Sequence, residues 1–401
     1  MTSPLFGAEN GGPSATTVEY IRINSTYLSS WTGTENFRST VVGSAFTLST
    51  FYIQVDVAPG AGKSYTFTVL KNGAATSLEA IISDSATSAT DNVNSVVFAA
   101  GDTLSLRSTP SGTPTVPSQV AWNYLVTAPN LTAPLLTSSG SPSSSATSYS
   151  AITGGHAQTA GWNTTESSVQ IIAPTSGTIS NFYARVSTAP SNTRSWQFTI
   201  MKNGVASALD LTIANTNTTN SNTSGSVSVA AGDMLSIRAI PTGTPTSPIG
   251  TSFGLMFTPT TPGESFFGYG SATAPAATTY ENVLGAGNNA WVANEANRLM
   301  VLGPYTLKKI IVGLVTAPGA GTSRTIAIRK AGVTTALAVT IADANTTGTT
   351  TADVTYTQGE TITLASTVSG SPAAATGGIH MGALLYATPT LSSFVPIVMV
   401  Y

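Results

Sequence analysis

VAPGAGKSYTFTVLKNG, residues 57–73, occurs again along this chain as TAPSNTRSWQFTIMKNG (188–204) and as TAPGAGTSRTIAIRKAG (316–332). The glycines that close the three copies are 131 and then 128 residues apart. A period of this size can hold a whole domain, since single domains commonly contain about 100–200 residues. The 401-residue chain is therefore expected to contain three tandem copies of one domain.

The first copy of this stretch has the pattern of a strand that ends in a tight turn. Tyr65, Phe67 and Val69 alternate with threonines, and period-two alternation is typical of a half-buried strand. Lys-Asn-Gly follows in two copies and predicts a hairpin, because Asn and Gly tolerate the positive φ of tight turns. In the third copy Lys330-Ala331-Gly332 weakens this signal.

A second repeated stretch lies further along each copy. AAGDTLSLRSTPSGTPT begins at Ala99, AAGDMLSIRAIPTGTPT at Ala230, and a diverged TQGETITLASTVSGSPA at Thr357. Asp102 and Asp233 follow a glycine just before a strand, where a short carboxylate can accept backbone N–H bonds. We interpret these acids as turn residues and not as a glycosidase pair, which needs two carboxyl groups within about 5–10 Å.

The pattern of breaks predicts the fold class. No segment shows a sustained 3.6-residue apolar period, and 37 glycines and 22 prolines recur at turn spacing. The sequence predicts an all-β chain of three tandem jelly-roll-like β-sandwich domains, independently packed and joined by short linkers. The predicted divisions are an N-terminal arm (1–16), repeat 1 (17–128), a Pro/Ser-rich linker (129–146), repeat 2 (147–258), a linker (259–275), repeat 3 (276–389) and an apolar tail (390–401).

The end of each copy carries an aromatic or glycine-bearing run: AWNYLV from Ala121, SFGLMF from Ser252 and MGALLY from Met381. With the preceding Gly-Asp turn and alternating strand, these runs resemble tumour-necrosis-factor-like and complement-globular-head jelly rolls, of the kind found in phage decoration and fibre proteins. The resemblance covers the second half of each repeat, and the glycine is missing from the first run. It implies a last strand in the middle of the inner sheet, threefold assembly, and binding or scaffolding without chemistry.

The composition argues against several classes of function. Charged residues make up 8% of the chain and its net charge is −2, so we expect no nucleic-acid and no membrane partner. The chain contains no cysteine and few carboxylates, so we expect no catalytic, cofactor or metal site. The first residues lack a secretory pattern, yet the Thr- and Ser-rich chain is typical of proteins that work outside cells. A virion protein made in the host cytoplasm without a signal peptide reconciles the two.

A tryptophan followed four residues later by a glutamate is the strongest candidate for a ligand site, and it is present in every copy: Trp31 and Glu35, Trp162 and Glu166, Trp291 and Glu295. An indole face near a carboxylate could hold a sugar ring. The alternative is that the tryptophan covers one end of the core, while the glutamate holds a neighbouring turn. His380 is expected to fill the inner-sheet position of Trp122 and Phe253, and His156 to be a solvated loop residue.

These observations favour a non-enzymatic virion structural protein, such as a phage capsid decoration, cement or spike protein built from stacked jelly rolls. It would work as a homotrimer bound to a major capsid or other virion protein, with its apolar tail (394–401) buried against a neighbour. A pseudo-threefold cluster of the three copies within one chain would satisfy the same surfaces. The alternative is an adhesin or tail-fibre protein that binds a surface glycan or receptor, and a glycan-depolymerising enzyme is a third class.

Overall fold

The computed structural model describes residues 2–26, 30–155, 161–284, 291–372, 375–376 and 378–387. Strands dominate these residues, and the helices among them are four short 3-10 turns: Glu35–Phe37, Pro129–Leu131, Glu166–Ser168 and Glu295–Arg298. The strands form three sandwiches in sequence order, domains 1, 2 and 3. The all-β, three-domain, jelly-roll-like prediction is confirmed.

The strands of the three domains follow one another along the chain. Domain 1 contains β1 (Thr2–Asn10), β2 (Glu19–Ile21), β3 (Thr40–Val41), β4 (Phe46–Val55), β5 (Gly60–Lys71), β6 (Ala74–Asp84), β7 (Ser88–Phe98), β8 (Thr103–Ser111) and β9 (Gln119–Thr127). Domain 2 contains β10 (Ala133–Ser139), β11 (Ser148–Ser150), β12 (Gly154–Gly155), β13 (Ile171–Ile172), β14 (Gly177–Val186), β15 (Ser191–Lys202), β16 (Val205–Asn215), β17 (Thr219–Val229), β18 (Met234–Thr242) and β19 (Thr251–Pro259). Domain 3 contains β20 (Glu264–Gly270), β21 (Thr273–Ala274), β22 (Thr279–Glu281), β23 (Met300–Leu302), β24 (Tyr305–Leu314), β25 (Gly319–Lys330), β26 (Val333–Asp343), β27 (Thr347–Thr355), β28 (Glu360–Ser369), β29 (Ala375–Thr376) and β30 (Ile379–Ala387).

Each domain packs two sheets face to face, and the strand order is the same in all three. In domain 1 the sheets are β1-β9-β4-β7 and β2-β8-β5-β6, with β3 also paired to β8. The corresponding sheets contain β10-β19-β14-β17 and β11-β18-β15-β16 in domain 2, and β20-β30-β24-β27 and β22-β28-β25-β26 in domain 3. The last strand of each domain therefore lies in the middle of its sheet, as the resemblance implied.

The segments predicted as an arm and two linkers contain the first strand of each domain. Strands β1, β10 and β20 each pair along the last strand of the same domain. The alternation expected of a strand is absent here because both faces are covered: every residue of β10 is buried. Domain 1 thus begins near residue 2, domain 2 near 133 and domain 3 near 264, and the predicted boundaries at 17, 147 and 276 are wrong.

The two repeated sequence stretches contact each other within each domain. Lys71 Nζ lies 3.0 Å from the carboxylate of Asp102, and the side chain of Asn72 donates to the same carboxylate at 2.7 Å. The N–H of Ala99 also donates to Asp102, at 2.7 Å. This confirms the turn interpretation of Asp102, and the Lys-Asn-Gly hairpin is held against the Gly-Asp turn.

The same contact is complete in domain 2 and reduced in domain 3. Asn203 donates to Asp233 at 2.7 Å. In domain 3, Lys330 and Glu360 still form an ion pair at 2.8 Å, but Ala331 has no side-chain amide to donate to the acid. Partial burial favours the protonated acids, but hydrogen bonds and the lysines outweigh it and lower the pKa values of Asp102, Asp233 and Glu360.

The three domains form a closed ring through equivalent head-to-tail contacts. Strand β3 of domain 1 lies against β10, β14 and β19 of domain 2, which defines joint 1–2. At joint 2–3, β13 of domain 2 lies against β20, β24 and β30 of domain 3. At joint 3–1, β23 of domain 3 lies against β1 and β9 of domain 1. Heterologous contacts of this kind close into a ring when the rotation between units permits it.

Each hydrophobic core also includes a side chain from the first strand of the next domain in the ring. Leu136 of domain 2 belongs to the core of domain 1, Phe266 of domain 3 to that of domain 2, and Phe6 of domain 1 to that of domain 3. The prediction of independently packed sandwiches is therefore wrong. It failed because the residues that join the domains lie in segments whose sequence resembles linkers.

Candidate functional site

The joints between domains are the places where the fold departs from three simple sandwiches. At joint 1–2, Gly43 and Gly254 meet so closely that a Cβ on either residue would overlap the backbone of the other. At joint 2–3, a Cβ on Gly382 would overlap the carbonyl of Ile172 and lie 3.0 Å from Cδ of Pro174. The glycine of the terminal run is therefore required by the neighbouring domain.

The domains also approach closely at joint 3–1, but here the last strand contributes the larger residue and the neighbouring domain contributes the glycine. Asn123 of β9 is equivalent to Gly254 and Gly382, and it faces Gly303, where a Cβ would lie 3.2 Å from Asn123 Oδ1. The side chain of Gln358 donates to the same Oδ1 at 2.9 Å. The missing glycine of the first run is thus explained by Gly303, which directly follows β23 of the neighbouring domain.

Buried polar groups cross joint 1–2. Arg22 is 1% exposed, and its guanidinium donates to the carbonyl of Ser139 at 2.8 Å. Burial, reinforced by the nearby charge of Arg38, lowers the pKa of Arg22 to about 9. Asn24 donates to the carbonyl of Leu136 at 3.0 Å. These bonds fix the orientation of the two domains, because a buried donor without its acceptor costs about 1–3 kcal/mol.

The first strands of the three domains meet around the axis of the ring. A cavity of about 40 Å³ lies there, and its lining includes Leu5 and Phe6 of domain 1, Leu135 of domain 2, and Phe266 and Phe267 of domain 3. The rings of Phe6 and Phe267 meet edge to face at 5.5 Å between centroids. The axis is therefore mainly an apolar contact surface with little free volume.

The three predicted tryptophans pack at the ends of the domain cores. The Nε1–H of Trp31 donates to the carbonyl of Gly11 at 3.2 Å, and that of Trp162 donates to the carbonyl of Gly140 at 3.2 Å. Trp291 packs against Tyr269 with 5.7 Å between ring centroids. All three are half-buried against a core cluster, which agrees with the structural alternative for these residues.

The paired glutamates bind the strand that follows the Gly-Asp turn. Glu35 accepts a hydrogen bond from Ser105 Oγ at 2.9 Å, and Glu166 accepts one from Ser236 Oγ at 2.9 Å. Glu295 accepts from Thr363 Oγ1 of β28 at 2.5 Å and also from Arg329 Nε of β25 at 2.8 Å. The carboxylates are therefore engaged within their own domains, and a sugar would have to displace these bonds.

His380 lies on the opposite face of its strand from the predicted one. Met381 pairs with Val312 as Phe253 pairs with Ala184 on the equivalent strand, so Met381 takes the inward position and His380 points toward domain 2. The error was a slip of one residue, which reverses the face of a strand. The side chain is 3% exposed, and Nδ1 lies 2.8 Å from the carbonyl of Gln170.

Several predictions concern residues outside the described ranges: His156 and the apolar tail at 394–401. Among the described residues, no group of three His, Asp or Glu side chains is placed as metal ligands would be. No helix in the same ranges is long and apolar enough to span a bilayer.

Comparison with known proteins identifies no relative from which a role can be transferred. No family model matches the chain, and no curated protein matches it. The chain is similar to a solved structure described as "Life in the extremes: atomic structure of Sulfolobus Turreted Icosahedral Virus", with 9% identity over 87% of this chain and 81% of that chain. The TM-score of 0.17 is too low for this match to support an inference about fold or function.

Proposed function

We propose that this chain is a non-catalytic structural protein of a virion, most simply a phage decoration or cement protein, and that it acts as a single-chain equivalent of a trimer. The ring of three head-to-tail domains is the observation that carries the proposal. Such a ring matches a threefold or pseudo-threefold position on a particle without the need for three separate chains. Its partner would be a major capsid or other virion protein.

The outer strands of the ring support a role in assembly. Strands β7, β17 and β27 each lie at the edge of a sheet, and most of their residues are exposed. They contain many Ser, Thr and Asn residues and few charges; β17 contains none. An uncharged edge strand is a template for pairing with another chain, and soluble proteins usually protect such edges with charge.

The engaged state of the acidic side chains supports a role without catalysis. Asp102, Asp233 and Glu360 hold turns, while Glu35, Glu166 and Glu295 bind neighbouring strands. A general acid or base needs a carboxylate within hydrogen-bond reach of a substrate. Because these six carboxylates accept hydrogen bonds within their own domains, they contribute to stability and leave no pair of acids in these turns available for catalysis.

The proposal is tested by locating the protein in purified particles. Particles released by cells that carry the gene are separated on a density gradient, and mass spectrometry and immunogold labelling follow the chain. We expect the chain to co-sediment with the capsid at a fixed ratio and to label its surface. Its presence only in the soluble fraction would contradict the proposal.

A second measurement separates the scaffold from an adhesin. We expect the purified chain to have the mass of one copy in solution, 40.7 kDa, and to give no specific signal on a glycan array. Glycan binding that is lost in Trp162→Ala and retained in Thr212→Ala would replace the proposal with the adhesin function. A stable trimer of the purified chain would remove the argument from the single-chain ring.

A further inference from the structure

The three joints contain equivalent grooves that differ in what fills them. Each groove lies between the turn of one domain, Gly-Asp in domains 1 and 2 and Gly-Glu in domain 3, and the strand of the next domain that corresponds to β4, which is β4, β14 or β24. At joint 1–2, Tyr183 lies beside Gly101 of the turn, with its Cε1 3.6 Å from where a Cβ of Gly101 would be. At joint 3–1, Tyr52 lies beside Gly359 in the same way, with Cζ at 2.7 Å. A phenol ring therefore covers the turn glycine at two of the joints.

The corresponding tyrosine is absent from joint 2–3. Ile311 pairs with Gly382 as Tyr183 pairs with Gly254, so Ile311 occupies the tyrosine position. Among the described residues, no atom from outside the turn lies within 4 Å of where a Cβ of Gly232 would be. The turn glycine of domain 2 is therefore uncovered.

A second large side chain is missing from the same groove. Two residues beyond the tyrosine position, joint 1–2 has Arg185, which bonds to Asn36 across the joint, and joint 3–1 has Gln54, which accepts from the Tyr52 hydroxyl at 2.9 Å. Joint 2–3 has Gly313 at this position. Its groove has a volume of about 600 Å³, against about 310 Å³ beside Tyr183, and falls in the range of about 300–1,000 Å³ that is usual for ligand sites.

His380 gives the groove at joint 2–3 a buried group that can accept a hydrogen bond from a ligand. Nδ1 of His380 is 2.8 Å from the carbonyl of Gln170. A carbonyl can only accept, so Nδ1 carries the proton and Nε2 of the neutral ring is an acceptor. Lys309 is already bonded to the carbonyl of Pro174 at 3.0 Å. A ligand hydroxyl that donates a hydrogen bond to Nε2 of His380 would therefore suit this groove.

We propose that the groove at joint 2–3 is a binding site for a phenol ring, which lies over Gly232 between Ile172 and Ile311 and donates its hydroxyl to His380. The ring takes the place that Tyr52 and Tyr183 occupy at the other joints. The ligand is a free phenolic molecule or a tyrosine side chain presented by another protein, since both offer the same ring and hydroxyl. The site is independent of the proposed structural function.

The test uses p-cresol as the probe and varies the occupancy of the grooves. Titration of the full chain, followed by calorimetry and by ligand-observed NMR, should give one saturable site. Ile311→Tyr supplies the missing ring and should weaken binding at least tenfold. Toluene, which lacks the hydroxyl, should bind at least threefold more weakly than p-cresol.

The outcomes decide both the site and the source of the ring. N-acetyl-L-tyrosinamide that binds as tightly as p-cresol indicates a tyrosine side chain, and a clear preference for p-cresol indicates a free phenolic molecule. No saturable binding to the full chain, or binding that Ile311→Tyr leaves unchanged while the variant retains its unfolding midpoint, overturns the proposal. An Ile311→Tyr variant that misfolds is replaced by Gly313→Arg, which fills the other half of the groove and should have the same effect.

Discussion

Joint 2–3 and joint 3–1 bring the same two sequence positions of the repeat together, with the large and the small residue exchanged. At joint 2–3 the central strand contributes Gly382 and the strand facing it is followed by Pro174, whereas at joint 3–1 Asn123 faces Gly303. Joint 1–2 has a glycine on both sides, Gly43 and Gly254. At every joint at least one of the two facing residues is a glycine, and the domain that supplies it differs, so neither residue can be explained within its own repeat.

Removal of a shared core side chain should have the largest effect. Phe266 belongs to a strand of domain 3, yet its ring packs edge to face on Phe257 of domain 2 at 4.9 Å between centroids. We expect Phe266→Ala to lower the free energy of unfolding by about 3–5 kcal/mol, the usual cost of truncating a buried aromatic ring. Chemical denaturation of the full chain measures it, with Phe198→Ala inside domain 2 as the matched comparison.

Hydrogen exchange shows where that destabilisation acts. If the cores are shared, Phe266→Ala should reduce amide protection in β14 and β19 of domain 2 as well as in β20. Unchanged protection in domain 2 would mean that the domains pack separately after all. Thr212→Ala, at an exposed position of β16, should leave both measurements unchanged.

Filling the close contact at joint 2–3 should have the next largest effect. The added methyl of Gly382→Ala would overlap the carbonyl of Ile172, and overpacking of this kind costs about 1–3 kcal/mol. We expect a lower unfolding midpoint and a larger radius of gyration by small-angle scattering. Gly33→Ala, which adds the same methyl in open space, should change neither. An unchanged radius and midpoint in Gly382→Ala would show that joint 2–3 has room for a methyl group at this position.

Truncation of the large residue at joint 3–1 should cost less. Asn123→Ala removes the acceptor of the Gln358 hydrogen bond, and one such bond contributes about 0.5–1.5 kcal/mol. The loss is limited further because Nδ2 of Asn123 has no hydrogen-bond partner among the described residues. Thermal unfolding measures the change, with Gly382→Ala as the reference. A larger loss in Asn123→Ala than in Gly382→Ala would reverse the proposed ranking of the two joints.

The repeated stretches predicted the interior of each domain because a strand buried on one face has period-two alternation, and Phe67 and Phe198 lie in the cores as that pattern indicates. The first strands could not be recognised from the sequence. Both faces of β10 are covered and all of its residues are buried, so Leu135 and Leu136 do not stand in an alternation of buried and exposed residues.

The joints could not be predicted from the sequence either. Gly382 and Ile172 are 210 residues apart in sequence, and only the closed ring brings them together.

The sequence left two interpretations of the Trp/Glu pairs, a sugar site or residues that stabilise one end of each core. The contacts of these residues in the structure agree with the second interpretation.

The smallest predicted effect is the pH-dependent stability that the carboxylate of a Gly-Asp turn contributes. Hydrogen bonds and Lys202 lower the pKa of Asp233 despite its partial burial, so the folded chain binds fewer protons than the unfolded chain near the usual aspartate value of about 3.9. The resulting stability is fully present above that value and is lost as the pH falls through the lowered pKa of the folded state. The groups are close to the surface, where solvent screens such interactions, so the change per turn is small.

Asp233→Asn isolates this contribution, because the amide keeps the shape of the side chain and cannot titrate. We expect the variant to be slightly less stable than the natural chain at pH 7 and to lose less stability between about pH 5 and pH 2. Thermal unfolding at half-unit pH steps gives the two slopes. Asp353→Asn is the control, since Asp353 is an exposed partner of Lys308, with 67% of its side chain accessible, and its slope should match the natural chain. Parallel slopes in the natural chain and Asp233→Asn would mean that the carboxylate of Asp233 does not stabilise the turn. The Gly-Asp turn of domain 2 would then owe its geometry to the backbone bond between Asp233 and Ala230 and to Gly232.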